Sequence, residues 1–338
     1  MQKVEVTLET VTPVFLGGAD GKPELRPPPF RGLMRYWFRA MAGGVVGDSK
    51  SALEQIKKKE AEIFGSPDEK SGGQSAVWVR LAVQKFEKNE VSLLPHKNGP
   101  KREAILPNTT LTITLTLKPG AEIKKLEIAT WNLLVGLTLG GVGKRSRRGF
   151  GSLRIKQKPA GEGLENLNPT LLACLDESSQ IAINAKALAE RIVKIQAGAR
   201  IAFEEFLGRS TQSISNLPTF SLIRPDTQIV IWTPPDNSLG DYKSALIPLM
   251  KLLSDTMRKN EATNFAKAFG GILNRERRAS PLWVSTHRLQ NEWALVLTYL
   301  KAKYQDGEAG HQESLVTDFF NSLSPKPITV SIGAEVKS

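Results

Sequence analysis

Residue periodicities run through this chain twice in the order strand, helix, strand, strand, helix, strand, and that order predicts an α+β fold of two ferredoxin-like (βαββαβ) units with additional bracing helices. A short echo supports the duplication. Phe64-Gly65-Ser66 leads to Val77-Trp78-Val79, and Phe269-Gly270-Gly271 leads to Leu282-Trp283-Val284, with Phe and Trp 14 positions apart in each case (78 − 64 and 283 − 269). Length agrees: 338 residues can bury two cores, and residues 159–168, rich in Gly, Pro and polar side chains, read as a linker. The expected division is an N-terminal unit at 1–158 and, beyond the linker, a helical insertion plus C-terminal unit at 169–338.

Residues 4–11 alternate as the first strand, 30–42 repeat apolar residues at helical spacing, and 51–63 append a second helix. Residues 69–73 read as flexible. Strands follow at 77–83 and 111–117, then an apolar helix at 126–139 and a closing strand at 152–156. Beyond the linker, 171–175 and 185–207 are helical, the latter with Glu190 and Lys194 at favourable spacing. The second half reads as a strand or bent hairpin at 220–232, a helix at 242–257, strands at 282–288 and 294–300, a helix at 313–323 and a last strand at 328–332.

Composition narrows the function. Lys and Arg number 46 against 34 Asp and Glu, a net charge of +12 with a pI near 9.7, which favours a polyanionic partner. No long apolar run, signal peptide or lipidation motif points to a membrane. The single cysteine, Cys174, excludes internal disulfides and a cysteine-based zinc site, and a reducing, cytoplasmic location is expected.

The stretch 140–151 sets Lys144, Arg145, Arg147 and Arg148 among Gly140, Gly141, Gly143, Gly149 and Gly151, with one aromatic, Phe150. Glycines let a main chain approach a ligand, successive amides can form an anion nest, and guanidinium forks suit phosphate. Nucleotide motifs do not fit: Thr138 stands where a Walker loop needs glycine, and Arg145 where it needs Ser or Thr. A second basic pattern lies in the first helix, where Arg31, Arg35 and Arg39 recur every four residues as one stripe, with Arg26 just before it. Arg31 follows Pro27-Pro28-Pro29 near the helix start, where the macrodipole disfavours a cation unless an anion meets it. The stripe can equally pair with carboxylates.

Thr12-Pro13-Val14-Phe15-Leu16-Gly17-Gly18-Ala19-Asp20, the run Glu24-Leu25-Arg26-Pro27-Pro28-Pro29-Phe30-Arg31-Gly32-Leu33-Met34-Arg35-Tyr36-Trp37-Phe38-Arg39-Ala40 and the glycine-rich stretch together resemble the RAMP proteins of CRISPR systems. Within that superfamily they are similar to the first-numbered subunits of Cmr (type III-B) effector complexes. Arg277-Arg278-Ala279-Ser280-Pro281-Leu282 resembles a segment of the second domain in that family. The resemblance implies two ferredoxin-like domains, CRISPR RNA as ligand with its 3′ part or a target RNA in reach, and other RAMP subunits and a Cas10-type subunit as partners.

The expected RNA contacts are thus Arg26, Arg31, Arg35, Arg39, Lys144, Arg145, Arg147 and Arg148, with Arg275, Arg277 and Arg278 as a secondary basic patch. Trp78 and Trp283 can stack bases, though strand tryptophans are more often core. At the offset of 205 residues (283 − 78), the counterpart of the glycine-rich stretch falls at position 345, past Ser338, so the second unit is expected to lack it. His96, His287 and His311 form no metal or acid–base motif, and neither a metal nor a cofactor is expected. Two alternatives remain open. One is a metal-dependent nuclease using Asp20, helped by Glu24, since the slicing subunits of similar complexes place a catalytic aspartate in such a loop. The other is a protein scaffold with little RNA affinity of its own.

Overall fold

The computed structural model describes the chain except at residues 19, 68–72, 84, 98, 212–217, 236, 238–239, 274–275, 303–309 and 331–338. The first half contains strands β1 (Lys3–Thr10), β2 (Val77–Val83), β3 (Lys88–Ser92), β4 (Lys101–Ile105), β5 (Thr110–Leu117) and β6 (Leu153–Ile155), with helices α1 (Pro27–Val46), α2 (Lys50–Phe64) and α3 (Ile123–Leu139). Helices α4 (Pro169–Ser178) and α5 (Ala185–Leu207) follow. The second half contains β7 (Gln228–Trp232), α6 (Lys243–Lys259), α7 (Ala262–Phe269), β8 (Gly271–Leu273), β9 (Glu276–Arg278), β10 (Leu282–Arg288), β11 (Trp293–Tyr299), α8 (Gly310–Asn321) and β12 (Ile328–Val330).

Two antiparallel four-stranded sheets result, in the orders β2-β5-β1-β6 and β10-β11-β7-β12. Both are the ferredoxin-like order, so the expected fold is the one observed. Alternation decides the layers. In the first sheet Val4, Val6, Leu8, Leu111, Ile113 and Leu115 face the helices, while Thr7, Thr112 and Thr114 line a partly open polar face. Strands of the second sheet are apolar on both faces. Ile229, Ile231, Trp283, Ala294 and Val296 join the core built by α1, α3 and α5; Val230, Trp232, Val284, Leu295 and Leu297 join a second core under α6, α7 and α8. The molecule is therefore layered sheet, helices, sheet, helices. That arrangement explains why β10 and β11 read as nearly continuous apolar runs.

The echo seen in the sequence is structural and in register. Trp78 pairs with Thr116 and Trp283 with Thr298. Gly65 and Gly270 end α2 and α7 with nearly the same backbone angles, φ 75° ψ 162° and φ 79° ψ 153°, each amide bonding the carbonyl four residues back. Ser75 and Ser280 then donate to the carbonyls of Val77 and Leu282. The offset of 205 does not persist, however. Beyond β2 the first unit inserts the β3–β4 hairpin, after which the offset is 182 (298 − 116), and α3 and α8 end in step at Leu139 and Asn321. The counterpart of the glycine-rich stretch is thus residues 322–327, a short connection without glycine, and not position 345.

Other expectations change on inspection. Residues 220–227 form no strand; Ile223 instead bonds the Ala40 carbonyl and runs along α1. The β3–β4 and β8–β9 hairpins and α7 were not legible in the sequence. Ala160 pairs with Glu5, tying the stretch after β6 to β1. Lys194 pairs with Glu177 of α4 at 3.2 Å, not with Glu190. Most of 69–73 lies outside the described residues. Among the described residues no helix is long and apolar enough to cross a membrane.

Candidate nucleic-acid interface

The glycine-rich stretch begins where α3 ends and is a knot between the two units. Gly149, at φ 81°, passes so close to Leu246 and Thr286 of the C-terminal unit that a side chain would collide, and Gly151, at φ 68°, lies against the Val142 carbonyl. The amides of Val142, Lys144, Gly149 and Gly151 are donated to the carbonyls of Gly151, Phe15, Val284 and Pro13. Three buried hydroxyls, Thr12 (2.9 Å), Ser152 (3.2 Å) and Thr286 (3.0 Å), donate to the Gly149 carbonyl. Phe150, fully buried, sits in the second core with Phe15 and Tyr242 at ring distances of 5.2 and 6.4 Å. These glycines serve close packing of protein on protein, and at least four of the amides expected to form an anion nest are already spoken for.

The four cations of the stretch divide sharply. Arg148 turns inward, donating to Ser280 Oγ (3.1 Å) and to the Phe269 carbonyl (2.7 Å). Burial, and then the charges of Arg145 and Arg147, push its guanidinium down to about 10. Arg147 donates to the Ser280 carbonyl and lies 4.6 Å over the Trp283 ring and 5.3 Å over Tyr36. Trp283 completes this stack by donating to the Tyr36 hydroxyl at 2.9 Å. The structure therefore places Arg147 and Arg148 as staples to the C-terminal unit, Arg147 through one hydrogen bond and its ring stack and Arg148 through two hydrogen bonds. Lys144 is exposed, and Arg145, at φ 61°, begins a turn beside it.

The α1 stripe divides as well. Arg39 forks onto Glu60 of α2 (2.5 and 2.8 Å), and Arg35 reaches the same carboxylate at 3.1 Å and the Gly65 carbonyl. Pairing with a carboxylate is thus what these two do. Arg31 is half-buried with its Nε unpartnered, and Arg26 is exposed, its guanidinium 3.3 Å from the Gly17 carbonyl. Since α1 starts at Pro27, three prolines fill its first turn and remove the amides that would otherwise meet an anion. Any anion here is held by side chains. Phe15 accepts from the Lys144 amide and Gly17 from Arg26, so both cations border one short segment.

Asp20 is exposed and caps its own turn, accepting from the Lys22 amide at 3.0 Å, with the Lys22 ammonium 3.7 Å away. Its carboxylate and that of Glu24 converge over Gly18. His287 is half-buried at the seam and donates from Nε2 to the Thr138 carbonyl (2.8 Å); burial pushes it down to about 4. The side chains of His311, Arg277 and Arg278, and all of Arg275, lie outside the described residues. Trp283 is core, whereas Trp78 is partly exposed on the open face of the first sheet. Cys174 is buried, and that burial pushes its thiol up to about 11.

Comparison with known proteins fits this geometry. The RAMP superfamily matches residues 7–154, the span that holds the second half of β1, all of α1 and the glycine-rich stretch. The Cmr subunit Cmr1-2 of Pyrococcus furiosus is 30% identical over 183 residues, covering 44% of this chain and 92% of that protein. The chain belongs to the RAMP superfamily, in its Cmr1 family. Cmr1-1 of the same organism is 27% identical over 277 residues, 77% of this chain and 75% of its own. Among solved structures, apo Cmr1 from Pyrococcus furiosus shares the fold with a TM-score of 0.67 at 20% identity, over 99% of this chain and 100% of that one. A chain of a type III-B Cmr-beta structure bound to cognate target RNA shares it at 0.63 and 15% identity, over 95% and 99%. For this member of the Cmr1 family, sequence reasoning missed Glu60, Tyr36 and Ser280, which decide which cations are engaged, and Thr286, which holds the Gly149 carbonyl. No local pattern marks them, because each acts on a residue distant in sequence.

Proposed function

We propose that the chain is a non-catalytic, RNA-binding subunit of a Cmr-type CRISPR effector complex, holding CRISPR RNA and the target RNA paired with it through backbone phosphates. One observation carries this reading. Among the described residues Arg26, Arg31 and Lys144 pair with no carboxylate; Arg26 and Lys144 border the segment 15–17, and Arg26 precedes a helix with no acid in its first turn. Charge-assisted bonds from such side chains fix a phosphate backbone without reading sequence. The overall +12 charge and the names of the relatives support the same reading.

The test is a titration of labelled single-stranded RNA across a salt series, for the wild type and for Arg26→Ala/Arg31→Ala/Lys144→Ala. Each phosphate neutralised contributes about −0.7 to the slope of log K against log salt, so the triple variant should flatten it by about 2. An unchanged slope would sink this site. The convergence of Asp20 and Glu24 over Gly18 favours one second reading, divalent-dependent cleavage. Magnesium-dependent cutting of bound RNA that disappears in Asp20→Ala would establish it in place of a purely binding role.

A further inference from the structure

The arginines of α1 recur every four residues, and the next position in that series, 43, is a glycine. A ring from elsewhere takes the space. A side chain at Gly43 would strike Leu222 and the Phe220 ring, both from the segment that joins α5 to β7. That segment is fastened along the end of α1: the Ile223 amide donates to the Ala40 carbonyl at 3.0 Å, and the Thr219 amide to the Asp48 carboxylate at 2.6 Å. Phe220 is thereby held one helical turn beyond Arg39.

Arg35 and Arg39 of α1, Leu53 and Ile56 of α2, Pro67 and Phe220 line one groove of about 580 Å³, a size usual for organic ligands. Its walls are mainly apolar. Leu53 is 42% exposed although large and apolar, and the Arg39 side chain is 56% exposed although its fork is tied to Glu60. Two bonds to one carboxylate fix the plane of that guanidinium. A fixed, exposed guanidinium and an aromatic ring in one groove offer stacking surfaces for a flat heterocycle. Glu60 already offsets part of the charge of Arg35 and Arg39, so a phosphate alone gains little there, whereas a base covers apolar wall and ring together. The groove is also continuous with the phosphate contacts at the start of α1. At about 1.5 Å of rise per residue, Arg39 stands about 12 Å along the axis from Arg31, and one strand can meet both.

We propose that this groove receives a nucleobase of the bound RNA, stacked on Phe220 and on the guanidinium of Arg39. This rests on the RNA-binding reading above and deepens it, adding a base contact to the phosphate contacts. Stacking of this kind tolerates any base, so it adds affinity without reading sequence.

The experiment titrates the full-length chain with a labelled single-stranded RNA, and with the same strand built from abasic residues, across the salt series. Phe220→Leu keeps an apolar side chain but loses the ring; it is expected to weaken RNA binding about 5- to 150-fold at every salt concentration, with the slope unchanged. Phe220→Tyr should restore the affinity, and neither substitution should alter binding of the abasic strand. Leu53→Ser, at an exposed position on the groove, should weaken RNA binding in the same base-dependent way, and it decides the matter where Phe220→Leu disturbs folding. Unchanged RNA affinity in these variants, or an equal loss on both strands, overturns the base site and leaves the groove to a side chain of a protein partner. The phosphate reading then still stands if Arg26→Ala/Arg31→Ala/Lys144→Ala flattens the slope. A wild type that binds no RNA overturns both.

Discussion

The connection from α3 to β6 and the one from α8 to β12 occupy the same place in two copies of one fold, yet they share almost nothing. The first is rich in glycine and arginine, mostly buried or half-buried, and reaches into the other unit; the second, residues 322–327, is short, has no glycine and is exposed apart from the buried Leu323 and half-buried Pro327. The difference teaches what the glycine-rich connection is for. It lies against β10 and α6, where a neighbouring unit stands ready to be grasped, whereas its counterpart buries only Leu323, in the cluster under α6, α7 and α8. Within one stretch, then, Phe150, Arg147 and Arg148 latch the units together, and Lys144 remains turned to solvent.

The sharpest way to break this comparison is Phe150→Ala. A fully buried aromatic shared by both units should cost about 3–5 kcal/mol, read as a lower midpoint in denaturant unfolding. A loss below about 1 kcal/mol would mean that the connection is no latch. A smaller effect is expected from pH at the same seam. The native His287 is held neutral down to about pH 4, while the unfolded chain takes up its proton near the ordinary value of about 6.5. The unfolded state binds more protons in that window, so stability is full above it and falls as pH drops through it, by at most about 3 kcal/mol. His287→Asn should remove most of this slope; a slope that survives would place the titration elsewhere.

The smallest effect sharpens the division among the cations. Arg148→Met should cost about 1.5–3 kcal/mol of stability by stranding the Phe269 carbonyl and losing the bond to Ser280 Oγ, yet leave the salt slope of RNA binding in place. A flattened slope in that variant, with folding intact, would return Arg148 to the RNA.

Much of the fold was legible because its strands state their faces plainly. Thr and Leu alternate through β5, and the apolar runs of β10 and β11 announce burial on both sides. The hairpins were not legible: β3 and β4 carry charge at half of their positions and bury only Ala104 and Ile105, so no period stands out. For the site, the glycine and arginine pattern was visible, but it fits close approach to protein as well as to phosphate. What separates the two is the set of partners. Glu60 lies 21 residues from Arg39, and Ser280 lies 132 from Arg148, distances at which a sequence gives no sign of contact.

The second sheet, covered by helices on both faces, carries a consequence for how the chain is made. During synthesis, β1 to α5 emerge first, and the outward faces of α3 and α5 stay bare until β7, β10, β11 and β12 have left the ribosome. A nascent chain halted between α5 and β7 would therefore display a broad apolar surface, attractive to chaperones. The yield of native protein should depend on how quickly translation crosses that interval.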